Sequence, residues 1–337
     1  MEIYSEDNPD DLKKQLRVQF RGEEGLDEGG VQKEFFQLLV EELFNQDFGM
    51  FTYDDDRHQF WFNPFSYESE REFMLIGILL GLAIYNNVIL DIHFPMVVYR
   101  KIMGCATVFS DLFSSHESIA KGLQDVLQYE GDDFEETFGL TFCVQHSDMF
   151  QQVHQHELKP GGAGIAVTKE NKGEYVEMYS DWLLNESIAT QFNSFKKGFG
   201  LVIRGTSLIN MFRPEELEQL ICGLSEWNFE ELEESTSYEG GYSAEHEVIR
   251  NFWEVVHEFS EDQKKQFLQF VTGTDRVPLG GLSKLKFMIV KNGSDSDRLP
   301  TAHTCFNALL LCEYSSKEKL KDRLLKAITH AKGFGML

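Results

Sequence analysis

Apolar residues recur at helical spacing along much of the chain. From Val31 to Phe44, the side chains of Phe35, Leu38, Leu39 and Leu43 fall on one helical face. The same period predicts helices over 68–85, 95–103, 117–129 and 170–197. Later it predicts Val248–Phe259, Glu261–Phe270 and Ser316–His330, the last with Leu320, Leu324, Leu325 and Ile328 on one side. The opposite side of that last helix carries Lys317, Lys319, Lys321, Arg323 and Lys326, which reads as a solvated face. Between Phe73 and Tyr85 the pattern is apolar all round, as in a buried helix. That run is too short for a bilayer, which takes about 20 residues. Gly77 and Gly81 lie one turn apart on it and would let another element approach closely.

End signals sharpen this picture. Asn8-Pro9-Asp10-Asp11 reads as a helix start, with acids at the positive end. Arg213-Pro214-Glu215-Glu216 starts another helix, and Cys222-Gly223 ends it. Alternation predicts a strand at Arg17–Phe20 and a weaker one around 138–145. Phe51–Tyr53 and Gln59–Phe62 flank an acidic turn at Asp54-Asp55-Asp56, the pattern of a hairpin. Phe287–Val290 and Leu309–Leu311 complete the strands, and Gly161–Gly164 reads as a loop. No internal repeat is evident.

Together these elements predict the α+β class: a large, mostly helical first part and a smaller mixed one. The seam is placed after Leu224, because residues 226–247 hold eight Glu and no Lys or Arg, with Gly240-Gly241 adding flexibility. The expected domains are therefore 1–224 and 225–337.

Charge narrows the partners. The 337-residue chain has 31 basic and 56 acidic residues, a net −25, so its field repels phosphate and argues against nucleic acid. Partners with basic faces, such as small proteins, fit better. No segment reads as a membrane anchor. The five cysteines are irregularly spaced, which points to free thiols and to the cytoplasm or nucleus. The sequons at Asn185 and Asn292 read as chance matches there.

Among those thiols, Cys305 has the most suggestive setting, in Leu299-Pro300-Thr301-Ala302-His303-Thr304-Cys305-Phe306-Asn307. Hydroxyls flank it and an imidazole precedes it by two. In an extended segment His303 and Cys305 would share a face. Residues alone leave two readings, a nucleophile or a small buried hydrophobe. Cys312, in an apolar run, fits the second. Cys143, His146, His154 and His156 match no common zinc spacing, and no metal or other cofactor is expected. Gly161–Gly164 lacks the pattern of a phosphate loop.

The segment LPTAHTCFN at 299–307 resembles the catalytic motif of HECT-type ubiquitin-protein ligases. Further segments resemble the family in order: FRGEEGLDEGGVQKEFF at 20–36, NPFSYE at 63–68, LGLAIYNN at 80–87 and LDIHFP at 90–95. FRPEELEQLICG at 212–223 and FLQFVTGTDRVPLGGL at 267–282 continue the series. The final segment, EYSSKEKLKDRLLKAITHAKGFGML, resembles the subgroup of the Angelman-syndrome ubiquitin ligase.

That resemblance implies a bilobal domain with a flexible hinge. An N-lobe docks a ubiquitin-conjugating enzyme, and a C-lobe carries the acceptor cysteine, here Cys305. The partners implied are ubiquitin, that enzyme and protein substrates. His303 and Thr304 fall beside the cysteine, where they would polarise the thiol or stabilise an oxyanion. Phe334, four residues from the end of the chain, would help deliver ubiquitin to lysine. The helix around 119–130 resembles the enzyme-binding groove, with Ile119, Leu123, Val126 and Tyr129 lining it and Tyr175 beside it. Tyr175 stands where relatives often have Phe, and Gly122 weakens the helix. Glu34 and Asp91 lie in matching motifs as acids for the incoming amine.

Relatives carry a further helix and long substrate-binding regions before this point, so the chain reads as an isolated catalytic domain whose substrates bind mainly elsewhere. Two other functions stay open at this stage. One is a non-catalytic docking module for conjugating enzymes. The other is a cysteine hydrolase, which would need separated His and Asp partners.

Overall fold

The computed structural model describes residues 12–14, 16–19, 30–147, 152–203, 211–224 and 227–330. The α+β class expected from the sequence is the class observed. In chain order come α1 (Gly30–Leu43), β1 (Phe51–Asp54), β2 (Gln59–Phe62), α2 (Glu70–Tyr85), α3 (Met96–Ile102) and the short α4 (Leu112–Ser115). Then follow α5 (Glu117–Gln128), α6 (Phe134–Phe138), β3 (Cys143–Ser147), β4 (Val153–Glu157), α7 (Lys172–Asp181), α8 (Ala189–Ile203) and α9 (Pro214–Cys222). The chain continues through α10 (Phe229–Ser235), β5 (Ser237–Glu239), α11 (Glu247–His257), α12 (Glu261–Thr272), β6 (Met288–Lys291), β7 (Thr301–His303), β8 (Ala308–Leu311) and α13 (Lys317–His330).

These elements fall into two compact units. The first comprises 1–14, 40–85 and 92–218; the second comprises 15–39, 86–91 and 219–337.

In the first unit, the all-round apolar run became α2, with nine residues from Phe73 to Ala83 buried. It packs on α8 with almost no room between the backbones. A Cβ at Gly77 would lie 1.9 Å from the carbonyl oxygen of Phe195, and one at Gly198 the same distance from that of Met74. Gly81 faces the Val202 side chain. The two helices therefore touch backbone to backbone, which only glycine permits. Phenylalanines fill the adjoining space, with Phe62 stacked 5.9 Å from Phe94 and Phe44 stacked 4.7 Å from Phe51. The acidic hairpin turn closes because the Asp54 carboxylate accepts from the backbone N–H groups of Asp56 and Arg57 at 3.0 and 3.1 Å.

Two expectations need correction here. The helix predicted over 170–197 is two, because a π-helical turn at Trp182–Glu186 separates α7 from α8. Trp182, Leu183 and Leu184 are all buried there, and no single helical stripe can bury three consecutive residues. Residues 17–19 form no strand. The glycine stretch is a loop, as expected, and includes a 3-10 turn at Gly162–Gly164; Gly161 and Ala163 N–H donate to the Glu157 carboxylate at 3.1 and 3.2 Å.

The second unit is built on a mixed sheet of order β5-β6-β8-β7. The pairs β5–β6 and β6–β8 are parallel, and β7 closes the edge antiparallel to β8. Phe252 and Trp253 of α11, Phe267 of α12, Phe287, Leu309 and Leu324 of α13 share its core. Gly223 ends α9 with a left-handed backbone, φ 73°, as its sequence position suggested. The basic face of α13 is not simply solvated. Lys317 bonds Glu254 and Glu258, Lys321 bonds Glu258, Lys319 bonds Asp295, and Arg323 bonds Asp297. The acidic excess of neighbouring segments supplies these partners.

Candidate active site

Cys305 lies in a 3-10 turn, Thr304–Phe306, directly after edge strand β7. The extended backbone ends at His303, so the extended segment that would put His303 and Cys305 on one face does not run through Cys305. His303 pairs with Ala308 across the β7–β8 ladder and is exposed. Thr304 is half-buried, and Phe306 is 55% exposed.

The turn is closed by Asn307, whose backbone is left-handed at φ 49° and ψ 45°. Asparagine tolerates that conformation better than most residues. Its N–H donates to the Thr304 carbonyl at 3.3 Å, and its Nδ2 donates to the Leu285 carbonyl at 2.6 Å. The C-terminal end of α12 abuts the same turn: a Cβ at Gly273 would lie 3.6 Å from that of Thr304. Lys33 of α1 also reaches it, donating to the Thr304 carbonyl at 3.0 Å and to Asn307 Oδ1 at 2.9 Å. Neither Lys33 nor Asn307 was singled out from sequence. The one available signal was an asparagine placed to end a turn between two strands.

The other cysteines behave as packing or surface residues. Cys222 and Cys312 are buried, Cys143 is half-buried and Cys105 is exposed. Cys312 Sγ lies 3.3 Å from the Asn292 carbonyl, in keeping with its apolar run. The three histidines considered as ligands make ring stacks instead. His146 and His154 stack on Phe65 at 4.8 and 5.4 Å, and His156 stacks on Trp182 at 5.0 Å. Burial, with the neighbouring His154 and His156, pushes the His146 imidazole below its ordinary range. Among the described residues no group of His, Cys, Asp or Glu is arranged to hold a metal ion.

The expected groove residues sit on α5, at its end (Tyr129) and on α7, and the two helices pack together. Ile119 and Tyr129 are half-buried, whereas Leu123, Val126 and Tyr175 are buried. Tyr175 stands edge-on to Phe142 at 5.6 Å, and burial pushes its phenol up to about 12. The Tyr129 hydroxyl donates to Asp133 at 2.6 Å. Glu34 is half-buried on α1, and Asp91 is exposed between α2 and α3. Phe334 lies outside the described residues.

The family model HECT-domain (ubiquitin-transferase) matches residues 37–337, and the chain belongs to that family. It is 44% identical over 340 residues to mouse "Probable E3 ubiquitin-protein ligase HECTD2", covering 97% of the chain and 43% of that protein. It is 41% identical over 337 residues to human "Probable E3 ubiquitin-protein ligase HERC4", covering all of the chain and 32% of the relative. Human "Probable E3 ubiquitin-protein ligase HERC3" is 42% identical over 326 residues, covering 97% of the chain and 31% of the relative. The chain thus spans less than half the length of these curated relatives. They do not support the expected placement in the Angelman-syndrome subgroup. That expectation rested on one terminal segment, whereas these alignments take in nearly the whole chain.

Proposed function

We propose that this chain is the catalytic domain of a ubiquitin-protein ligase that holds ubiquitin as a thioester on Cys305 and passes it to a substrate lysine. Residues 1–224 serve as the lobe that docks the conjugating enzyme, with Ile119, Leu123, Val126, Tyr129 and Tyr175 forming or backing its groove. Residues 225–337 serve as the lobe that carries the acceptor. Ubiquitin, a conjugating enzyme and protein substrates are the partners, and the cytoplasm or nucleus is the compartment. The observation that supports this reading most is the placing of Cys305 in a turn at a sheet edge, within a chain of the HECT family.

The chemistry needs no resident cofactor. The Cys305 thiolate attacks the carbonyl carbon of the thioester joining ubiquitin's terminal glycine to the conjugating enzyme. A new carbon–sulfur bond forms, the old one breaks, and the enzyme's thiolate leaves. One thioester replaces another, so the exchange is nearly balanced and the acyl group stays activated. A neutral lysine amine then attacks the same carbon. A carbon–nitrogen bond forms, the Cys305 thiolate leaves, and the amine's proton passes to a base. Glu34 and Asp91 are the acids proposed for that proton. His303 and Thr304 assist the sulfur or the oxyanion in the first step. Phe334 assists delivery in the second.

The test is loading with activating enzyme, conjugating enzyme and ubiquitin, comparing the wild type with Cys305→Ser on non-reducing gels. The wild type should give a thiol-labile adduct mapped to Cys305. The serine variant should give none, or a thiol-stable ester. An unchanged thiol-labile adduct on the serine variant would refute the assignment. Release of free ubiquitin without any adduct or conjugate would favour the docking or hydrolase alternatives.

A further inference from the structure

The turn that carries Cys305 is held by an ammonium from a distant part of the chain. Lys33 Nζ donates to the Thr272 carbonyl, the Thr304 carbonyl and Asn307 Oδ1, residues at least 239 positions away in sequence. By sequence Lys33 precedes Leu224 and so falls in the proposed docking lobe, yet all of these residues lie in one compact unit, the second. Each acceptor has a separate structural meaning. Thr272 is the last residue of α12, where carbonyls lack intrahelical partners and the helix dipole is negative. The Thr304 carbonyl belongs to the peptide group whose nitrogen is that of Cys305. Asn307 closes the turn with its left-handed backbone and anchors it to Leu285.

We propose, on the reading of Cys305 as the acceptor, that Lys33 is a positioning residue that clamps the Thr304–Asn307 turn to the end of α12. The ammonium has three donors, and three acceptors converge on it. Charged donors make the stronger hydrogen bonds, and donation to the Thr304 carbonyl polarises the peptide group it shares with Cys305. Thioester exchange requires the sulfur to meet a carbonyl held on another protein, so small displacements of the turn are costly. An arginine keeps the charge in a planar fork and can serve part of this geometry. A methionine keeps the stem and loses both charge and donors.

The experiment compares Lys33→Met, Lys33→Arg, Asn307→Gly and the Lys33→Met/Asn307→Gly double variant. Glycine preserves the left-handed backbone while removing Oδ1. The readouts are single-turnover loading, site-resolved iodoacetamide labelling of Cys305 and thermal unfolding. Lys33→Met should load about tenfold more slowly, the factor carried by ~1.4 kcal/mol. It should also label Cys305 more slowly at neutral pH, because the peptide group that Cys305 shares with Thr304 is no longer polarised by the ammonium and its N–H favours thiolate less. Lys33→Arg should recover most of both rates. The double variant should be no slower than the slower single one, because both changes break one clamp. Wild-type loading and labelling in Lys33→Met would overturn the proposal. Equal losses in Met and Arg, or additive losses in the double variant, would overturn it as well. Labelling involves no ubiquitin, so it judges the clamp even where the Cys305→Ser comparison refutes the acceptor role.

Discussion

The packing of α2 on α8 makes a sharp prediction, because the same change, glycine to alanine, should act in opposite directions at two sites. In Gly77→Ala the new methyl carbon would lie 1.9 Å from the Phe195 carbonyl oxygen and 2.7 Å from the Phe199 nitrogen. Ordinary contact begins near 3.4 Å, so the helices must part by about 1.5 Å at this point. Neither obstructing atom can rotate away, since both belong to the α8 backbone. A radial gap of about 1 Å already forfeits up to half of a dispersion well. The buried face of α2 would lose contact along several turns. The expected cost is roughly 3 kcal/mol, at the upper end for an overpacked core and a large share of a domain's total stability. Gly122→Ala is the control, because Gly122 is an exposed helical residue with nothing within 4 Å of a Cβ. There, helix propensity alone should stabilise by about 0.8 kcal/mol. Urea denaturation followed by far-ultraviolet circular dichroism measures both. Equal effects at the two sites, or a Gly77→Ala protein as stable as the wild type, would refute the close-approach account.

Other expectations can be checked with the same methods. Ser260 caps α12 reciprocally with Gln263, through bonds of 3.3 and 3.1 Å, so Ser260→Ala should cost about 1 kcal/mol in urea denaturation. Burial pushes the His116 imidazole down to about 4, so between pH 4 and 6.5 the unfolded chain binds a proton that the folded chain refuses. Stability should therefore fall as pH drops through that window, by up to about 1.4 kcal/mol per unit, and His116→Gln should lose this part of the slope. A variant with the wild-type pH dependence would disprove it. His303→Ala should slow loading of Cys305 by roughly a hundredfold if the imidazole moves a proton there, and unchanged single-turnover loading would reject that role.

Much of the local structure was legible in the sequence because local rules decide it. The helical spacing of α1, the Pro214 start and Gly223 end of α9, the Asp54 turn and the apolar runs of β6 and β8 each depend on neighbours a few residues away. The glycine pair of α2 even announced its close approach. The motif around Cys305 marked the candidate nucleophile, because its residue types and order carry the signal without any fold.

Long-range placement was not legible. The short strands β5 and β7 have little pattern of their own and exist because β6 and β8 offer them edges. The helix over 170–197 broke where three consecutive residues found burial, a demand set by the surrounding core rather than by their period. Lys33 and Asn307 looked like ordinary polar residues, since nothing within a few positions of either distinguishes it. Only folding brings one ammonium to carbonyls more than two hundred residues away, and periodicity carries no information about contacts at that separation.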